Sequence, residues 1–321
     1  MACGDNAGLI PDVNEPGLAE EQELIPISFN LGFSLEVTPL RASASAFNLK
    51  YLDYLVFTAY DEDDIHGTAG PGMLYKKRSF INSDGHIQDS LPSGYYHVVF
   101  VANNESPFLF TGENALEGVS MTTSLSAVPE VFYSSGFIHI ENKEELREDY
   151  AYLYRNVGKV EIVVEDIIPA DVETIEITVQ PMAHTYIIQC GSSGDSIATM
   201  FDHVQMSGSL SQLGSITEND EGNRTMLPFS FLSYENIEAW RIEKEERPDG
   251  PGFLIEAVPV RTPVTITMQV YGGGNLLAEK QITNVDILRN KTVRYTGHLF
   301  ENTAFSLLVD DNWTGTEEIT F

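Results

Sequence analysis

The chain has 321 residues, more than twice the commonest domain size, and its 48 acidic against 18 basic residues leave a formal net charge of −30. Such an acid excess repels phosphate backbones and anionic headgroups, which speaks against nucleic acid as a partner and describes a solvated surface. No stretch approaches the roughly 20 apolar residues that a helix needs to span a bilayer.

From the N-terminus, Ala2-Cys3 opens a Pro-, Gly- and Glu-rich segment through Glu23 that lacks the apolar periodicity of a folded element and reads as a tether. An Ala-Cys junction is what a cut lipoprotein signal leaves behind, with Cys3 as the acylated first residue; the plain alternative is an exposed thiol. Ser28 to Val37 then alternates strictly, which puts Phe29, Leu31, Phe33, Leu35 and Val37 on one inward face of a strand. Arg41 and the small-residue run Ala42 to Ala46 follow. A protease cutting between Arg41 and Ala42 would separate this strand from the rest of the chain and leave an apolar groove; an ordinary loop arginine is the competing reading.

Period-two segments recur at Leu55 to Tyr60, Tyr95 to Ala102, Val157 to Glu165, Thr174 to Gln180, Ile255 to Val260, Val264 to Val270 and Val293 to Leu299, each bounded by Gly, Pro, Asn or Asp. Gly272 to Asn275 reads as a hairpin turn between two of them. The rhythm is all-β. One short charged stretch, Lys143 to Tyr150, reads as helical and as a connector, which divides the chain into a tether over residues 1–24, a β-sandwich over 25–150 and a second over 151–321.

Motifs that carry chemistry are missing. The seven histidines, from His66 to His298, show no pair at metal-ligand spacing, and Asp61 to Asp64 with Gly67 lacks the ligand ladder of a calcium loop. Gly191-Ser192-Ser193-Gly194 does not satisfy the nucleophile-elbow pattern and reads as a polar turn, and Cys190 reads as a small buried hydrophobe. No phosphate-cradling or dinucleotide loop occurs. The expectation is a protein that is not an enzyme and holds no metal or cofactor. Of the two tryptophans, Trp240 lies in Ile237 to Ile242, where both faces mix apolar and charged residues, so its exposure stays open.

At the C-terminus Phe305, Leu307 and Val309, then Ile319 and Phe321, form two strand-like segments. They supply either an edge strand available to a neighbour or the completion of a core around Trp313.

Four pieces in order resemble the fimbrillin-like surface proteins of Bacteroidales, the builders of type V fimbriae, and their lipid-anchored anchor and accessory subunits in particular. They are Leu55-Val56-Phe57-Thr58-Ala59-Tyr60-Asp61, Leu91-Pro92-Ser93-Gly94-Tyr95 running on to Asn103, Tyr154-Arg155-Asn156-Val157-Gly158-Lys159-Val160-Glu161-Ile162, and Phe305 to Trp313. The resemblance implies two tandem transthyretin-like β-sandwich domains and a surface-exposed lipoprotein held in the outer membrane through Cys3. It also implies a structural or adhesive role in a fimbrium, with β-strand complementation joining the chain to other fimbrial subunits and with a host protein or glycan as a further ligand. The competing class is a surface glycan-binding lipoprotein, whose mark would be exposed aromatic platforms.

Overall fold

The computed structural model describes residues 23–33, 49–59, 74–112, 119–123, 128–141, 146–188, 202–246 and 253–310. Among them every regular element is a strand. The first nine are β1 (Ile25–Phe33), β2 (Leu49–Ala59), β3 (Leu74–Ser83), β4 (His86–Leu91), β5 (Gly94–Asn103), β6 (Phe108–Thr111), β7 (Val119–Thr123), β8 (Phe132–Ile140) and β9 (Arg147–Arg155). Then follow β10 (Val157–Val164), β11 (Thr174–Ile188), β12 (His203–Leu213), β13 (Ile216–Glu218), β14 (Arg224–Met226), β15 (Phe229–Tyr234) and β16 (Ile237–Glu246). The last are β17 (Phe253–Arg261), β18 (Val264–Gly272), β19 (Asn275–Val285), β20 (Thr292–Gly297) and β21 (Ser306–Asp310).

The first unit is a sheet in the order β3-β2-β5-β8-β9-β1-β4 that folds over on itself. Phe29 of β1 lies 5.5 Å from Tyr54 of β2 and 5.2 Å from Phe100 of β5, ring centroid to ring centroid, so β9-β1-β4 faces β3-β2-β5-β8 across a core. Strands β3 and β4 are consecutive in sequence yet stand at opposite ends of the order. Asp84-Gly85 carries the chain from one layer to the other, with Gly85 at φ 84°, where a side chain would be strained. Lys76 on β3 and Asp89 on β4 tie the two ends at 2.8 Å.

The second unit sets β15-β10-β20-β21 against β19-β18-β11-β7-β6, with β12 on the remaining part of β11. Strand β11 is 15 residues long and serves two neighbours in turn: Thr174 to Gln180 pairs with β18, and Thr185 to Ile188 with β7. Its ladder with β12 is irregular between Val179 and Thr185, a stretch that holds Pro181, which has no N–H to donate.

The units share material. Strands β6 and β7 come from the first half of the chain and pair into the second sheet. Alternate residues of β2 and β5 also point to different cores: Leu52, Tyr54, Val56, Val98 and Phe100 enter the first, whereas Leu55, Phe57, Val99 and Val101 enter the second. A strand covered on both faces reads as a continuous apolar run, and both segments do. The layer β3-β2-β5-β8 is therefore the partition between two cores.

Two expectations are corrected. The stretch read as helical ends inside β9, which begins at Arg147 and runs parallel to β1; residues 142–145 lie outside the described residues. Its charges misled: Glu148 points to solvent, and Arg147 and Asp149 pair with each other at 2.7 Å on the opposite face, so the strand hides its period behind polar groups. Tyr150 lies within β9, and Asn156 alone separates β9 from β10. The first strand likewise starts three residues earlier than Ser28, at Ile25.

Candidate assembly site

β1 occupies a seat between two strands that are remote from it in sequence. Ile25 to Asn30 pair antiparallel with Leu91 to His86 of β4, and Ile27 to Phe33 pair in parallel with Arg147 to Leu153 of β9. Neither connection is a hairpin. The strand is held by ladder hydrogen bonds on both sides and by what its inward side chains bury.

Those side chains are Ile25, Ile27, Phe29 and Leu31, none more than 8% exposed. The floor beneath them is Tyr54, Ile87, Leu91, Phe100 and Leu153, all buried. Phe33 is half-buried at the end of the strand and meets Phe132 edge-on at 5.1 Å. At roughly 1.5–3 kcal/mol for each large apolar side chain, the four inward groups together are worth about as much as the net stability of a domain. The outward side carries Pro26, which is exposed, and Asn30, whose Oδ1 lies 3.0 Å from His86 Nδ1. Leu31 N–H donates to the Gly85 carbonyl at 2.8 Å and fastens the far end.

Burial and then the nearby Asp89 charge hold the Tyr54 phenol far above its usual pKa, so it stays protonated under the strand. Asp89 itself answers Lys76 at 2.8 Å and Arg78 at 3.7 Å.

Of the expected strand face, Phe29 and Leu31 are core residues and Phe33 lies at its margin, whereas Leu35 and Val37 lie outside the described residues. So do Cys3, Arg41 and Ala42. Ile25 and Ile27 were missed, although Ile-Pro-Ile continues the alternation backwards; Pro26 is tolerated because it stands at the start of the strand, where sheets accept proline.

Towards the other end of the chain, β21 pairs among the described residues with β20 alone, Thr292 to Thr296 against Asp310 to Ser306, and stands last in the order of its sheet. Phe305 packs on the core over Gly297, where a Cβ would come within 3.0 Å of its ring. Leu307 is 43% exposed and Leu308 and Val309 are only half-buried, so no face of β21 is fully covered. Ile319, Phe321 and Trp313 lie outside the described residues. Among the described residues no helix is long and apolar enough to cross a membrane.

Fold and seat together define an all-β protein of two packed units whose first strand is an insert between sequence-remote partners. No protein-family model and no curated protein matches the chain. Among solved structures it is similar to the fimbrial anchor protein Mfa2 from Porphyromonas gingivalis, at 12% identity over 89% of this chain and 97% of that one, with a TM-score of 0.49. It is also similar to a candidate adhesin from Bacteroides ovatus ATCC 8483, at 12% identity over 86% and 88% of the two chains, TM-score 0.48. Candidate polysaccharide binding proteins from Bacteroides thetaiotaomicron VPI-5482 are similar at 11% identity over 89% and 96%, TM-score 0.47. At these values the likenesses assign no activity to this chain.

Proposed function

We infer that this chain is a surface subunit of a fimbria, of the anchor or accessory kind, that joins its neighbours by β-strand complementation. The observation that carries the reading is the contrast between two strands: β1 fills a seat built from sequence-remote strands, whereas β21 is, among the described residues, an edge strand with no fully buried face. A filled seat and a strand at the margin of the described sheet suit a subunit that gives a strand while keeping its own. Backbone pairing supplies affinity in such a joint and alternate side chains supply specificity.

In this reading the two units are transthyretin-like sandwiches, and Cys3 bears lipid that holds the chain in the outer membrane. Stable anchoring needs more than one acyl chain, which a lipoprotein cysteine receives. Cys3, the tether and β1 all precede Arg41, so one cut there would remove anchor and strand together. The uncut chain is then the membrane-held form with its seat filled, and the cut chain is a strand acceptor. Phe305, Leu307, Val309, Ile319 and Phe321 form the donor segment, and the partners are other fimbrial subunits. The role is structural and adhesive.

The reading is tested on protein extracted from native membranes. Intact mass should show acyl groups on Cys3, and deletion of residues 303–321 should abolish entry into fimbriae while leaving the first unit folded. An unmodified Cys3, together with normal incorporation of the truncated chain, would overturn it.

A further inference from the structure

Away from both strand sites, five chain segments meet around a cavity of about 250 Å³. Asn156 comes from between β9 and β10, Tyr186 from β11, Asp202 from the residue before β12, Glu235 and Trp240 from the turn into β16 and from β16 itself, and Arg289 from the turn before β20. The space is smaller than the roughly 300–1,000 Å³ of sites for drug-sized ligands, which fits one ring rather than a chain of them.

Its lining has two characters. Trp240, half-buried, presents aromatic surface, while Tyr186 is buried, packs against Tyr133 and Tyr234 and adds its hydroxyl edge; both are fixed by hydrogen bonds to Asp202, the indole Nε1–H donating to the backbone carbonyl at 3.0 Å and the phenol to Oδ2 at 3.1 Å. The polar groups are charged but balanced. Glu235 is paired at 2.6 Å with Arg261, which stands outside the lining, and Arg289 is the cation that lines the cavity with Asp202. The phenol of Tyr186 is held well above its usual pKa by burial and the Asp202 charge, and Arg289 moderates this. A site without net charge, inside a chain of net charge −30, disfavours anions and offers a cation nothing unanswered.

A ligand that suits this lining has an apolar face to lay on an aromatic ring and a rim of groups that both donate and accept. A pyranose has both: ring C–H groups meet the negative face of an aromatic system, and hydroxyls pair with carboxylates and with a guanidinium. We propose that the cavity between Trp240, Tyr186 and Arg289 binds one unit of a neutral saccharide. The site stands independently of strand complementation, because none of its residues belongs to β1 or β21.

The two tryptophans make the test direct. In a Trp313→Phe variant Trp240 is the only indole, and its emission is titrated with glucose, galactose, mannose and N-acetylglucosamine, with glucuronate as the anionic control. At least one neutral sugar should give a saturable change in the millimolar range of a small ligand. Arg289→Ala, which keeps the fluorophore, should weaken that binding about tenfold or more, as loss of a charge-assisted hydrogen bond does. If Trp313→Phe does not fold, saturation-transfer NMR with the natural chain and the same sugars gives the same reading. No binding of any of the four, an unchanged affinity in Arg289→Ala, or tighter binding of glucuronate overturns the proposal.

Discussion

Phe29 of β1 meets Phe100 of β5 edge to face, with centroids 5.2 Å apart and planes at 66°. This contact lies at the centre of the first core, since Tyr54 stacks on the same Phe100 at 5.4 Å and reaches Phe29 at 5.5 Å. Aromatic pairs in this geometry stabilise beyond the area they bury.

Phe29→Ala should therefore cost about 3–5 kcal/mol in urea unfolding, the range for emptying a buried phenylalanine site. Phe33→Ala, at the half-buried end of the strand, should cost clearly less. Equal losses would mean that β1 is not anchored through Phe29.

A polar clasp joins the units. Arg155 at the end of β9 is 3% exposed; its Nε donates to Glu130 at 2.8 Å and its Nη1 to Asn290 Oδ1 at 2.7 Å, linking the approach to β8 with the approach to β20. Arg155→Ala removes both contacts and opens a void where a side chain is 3% exposed, so a loss of about 1–3 kcal/mol is expected. It should appear as earlier unfolding of both units in calorimetry. A loss confined to one unit would show that the clasp does not couple them.

How far the sequence carried depended on what each strand hides. Alternation revealed β1, β18 and β20 because each sets an apolar face against polar neighbours. β2 and β5 were recognised as strands, but only the cores show why Leu55, Phe57, Val99 and Val101 are apolar as well: they line the second core from the partition layer. The first four residues of β9, Arg147 to Tyr150, read as the end of a helix because they are charged at three of four positions, with Glu148 outward and the Arg147–Asp149 ion pair on the other face. The pairing of β7 with β11 joins residues more than 60 positions apart through backbone alone, and no side-chain pattern announces it. Trp240 could not be placed because its partner, the Asp202 carbonyl, is 38 residues away.

Acid should expose one buried base. His97 on β5 stacks against Phe137 at 4.7 Å, and burial pushes its pKa down to about 4 from the ordinary 6.5. Below pH 6.5 the unfolded chain takes up a proton that the folded chain refuses, so stability falls as the pH drops from about 6.5 to 4 and this contribution then levels off. The span corresponds to about 3 kcal/mol. His97→Gln should remove that part of the slope, and comparison with the natural chain cancels Asp53, whose raised pKa acts with the opposite sign. Identical pH profiles for the two proteins would refute it.

Gly158 on β10 has no room for a side chain: a Cβ there would stand 2.4 Å from the Leu288 carbonyl oxygen. That backbone is pinned nearby by Asn290 N–H donating to Val157 O at 2.9 Å. Gly158→Ala should cost about 1–3 kcal/mol by overpacking, measurable as a lowered denaturant midpoint. An unchanged midpoint would mean that the turn yields.

The most direct measurement concerns the seat of β1. The chain is cut after Arg41 under native conditions, the released residues 1–41 are removed, and a labelled peptide of residues 24–41 is offered to cut and uncut protein. One peptide should bind per cut chain and restore its thermal stability, and the uncut chain, whose seat is filled, should take up none. Equal uptake by both forms, or a cut chain that is as stable as the uncut one and takes up no peptide, would contradict it.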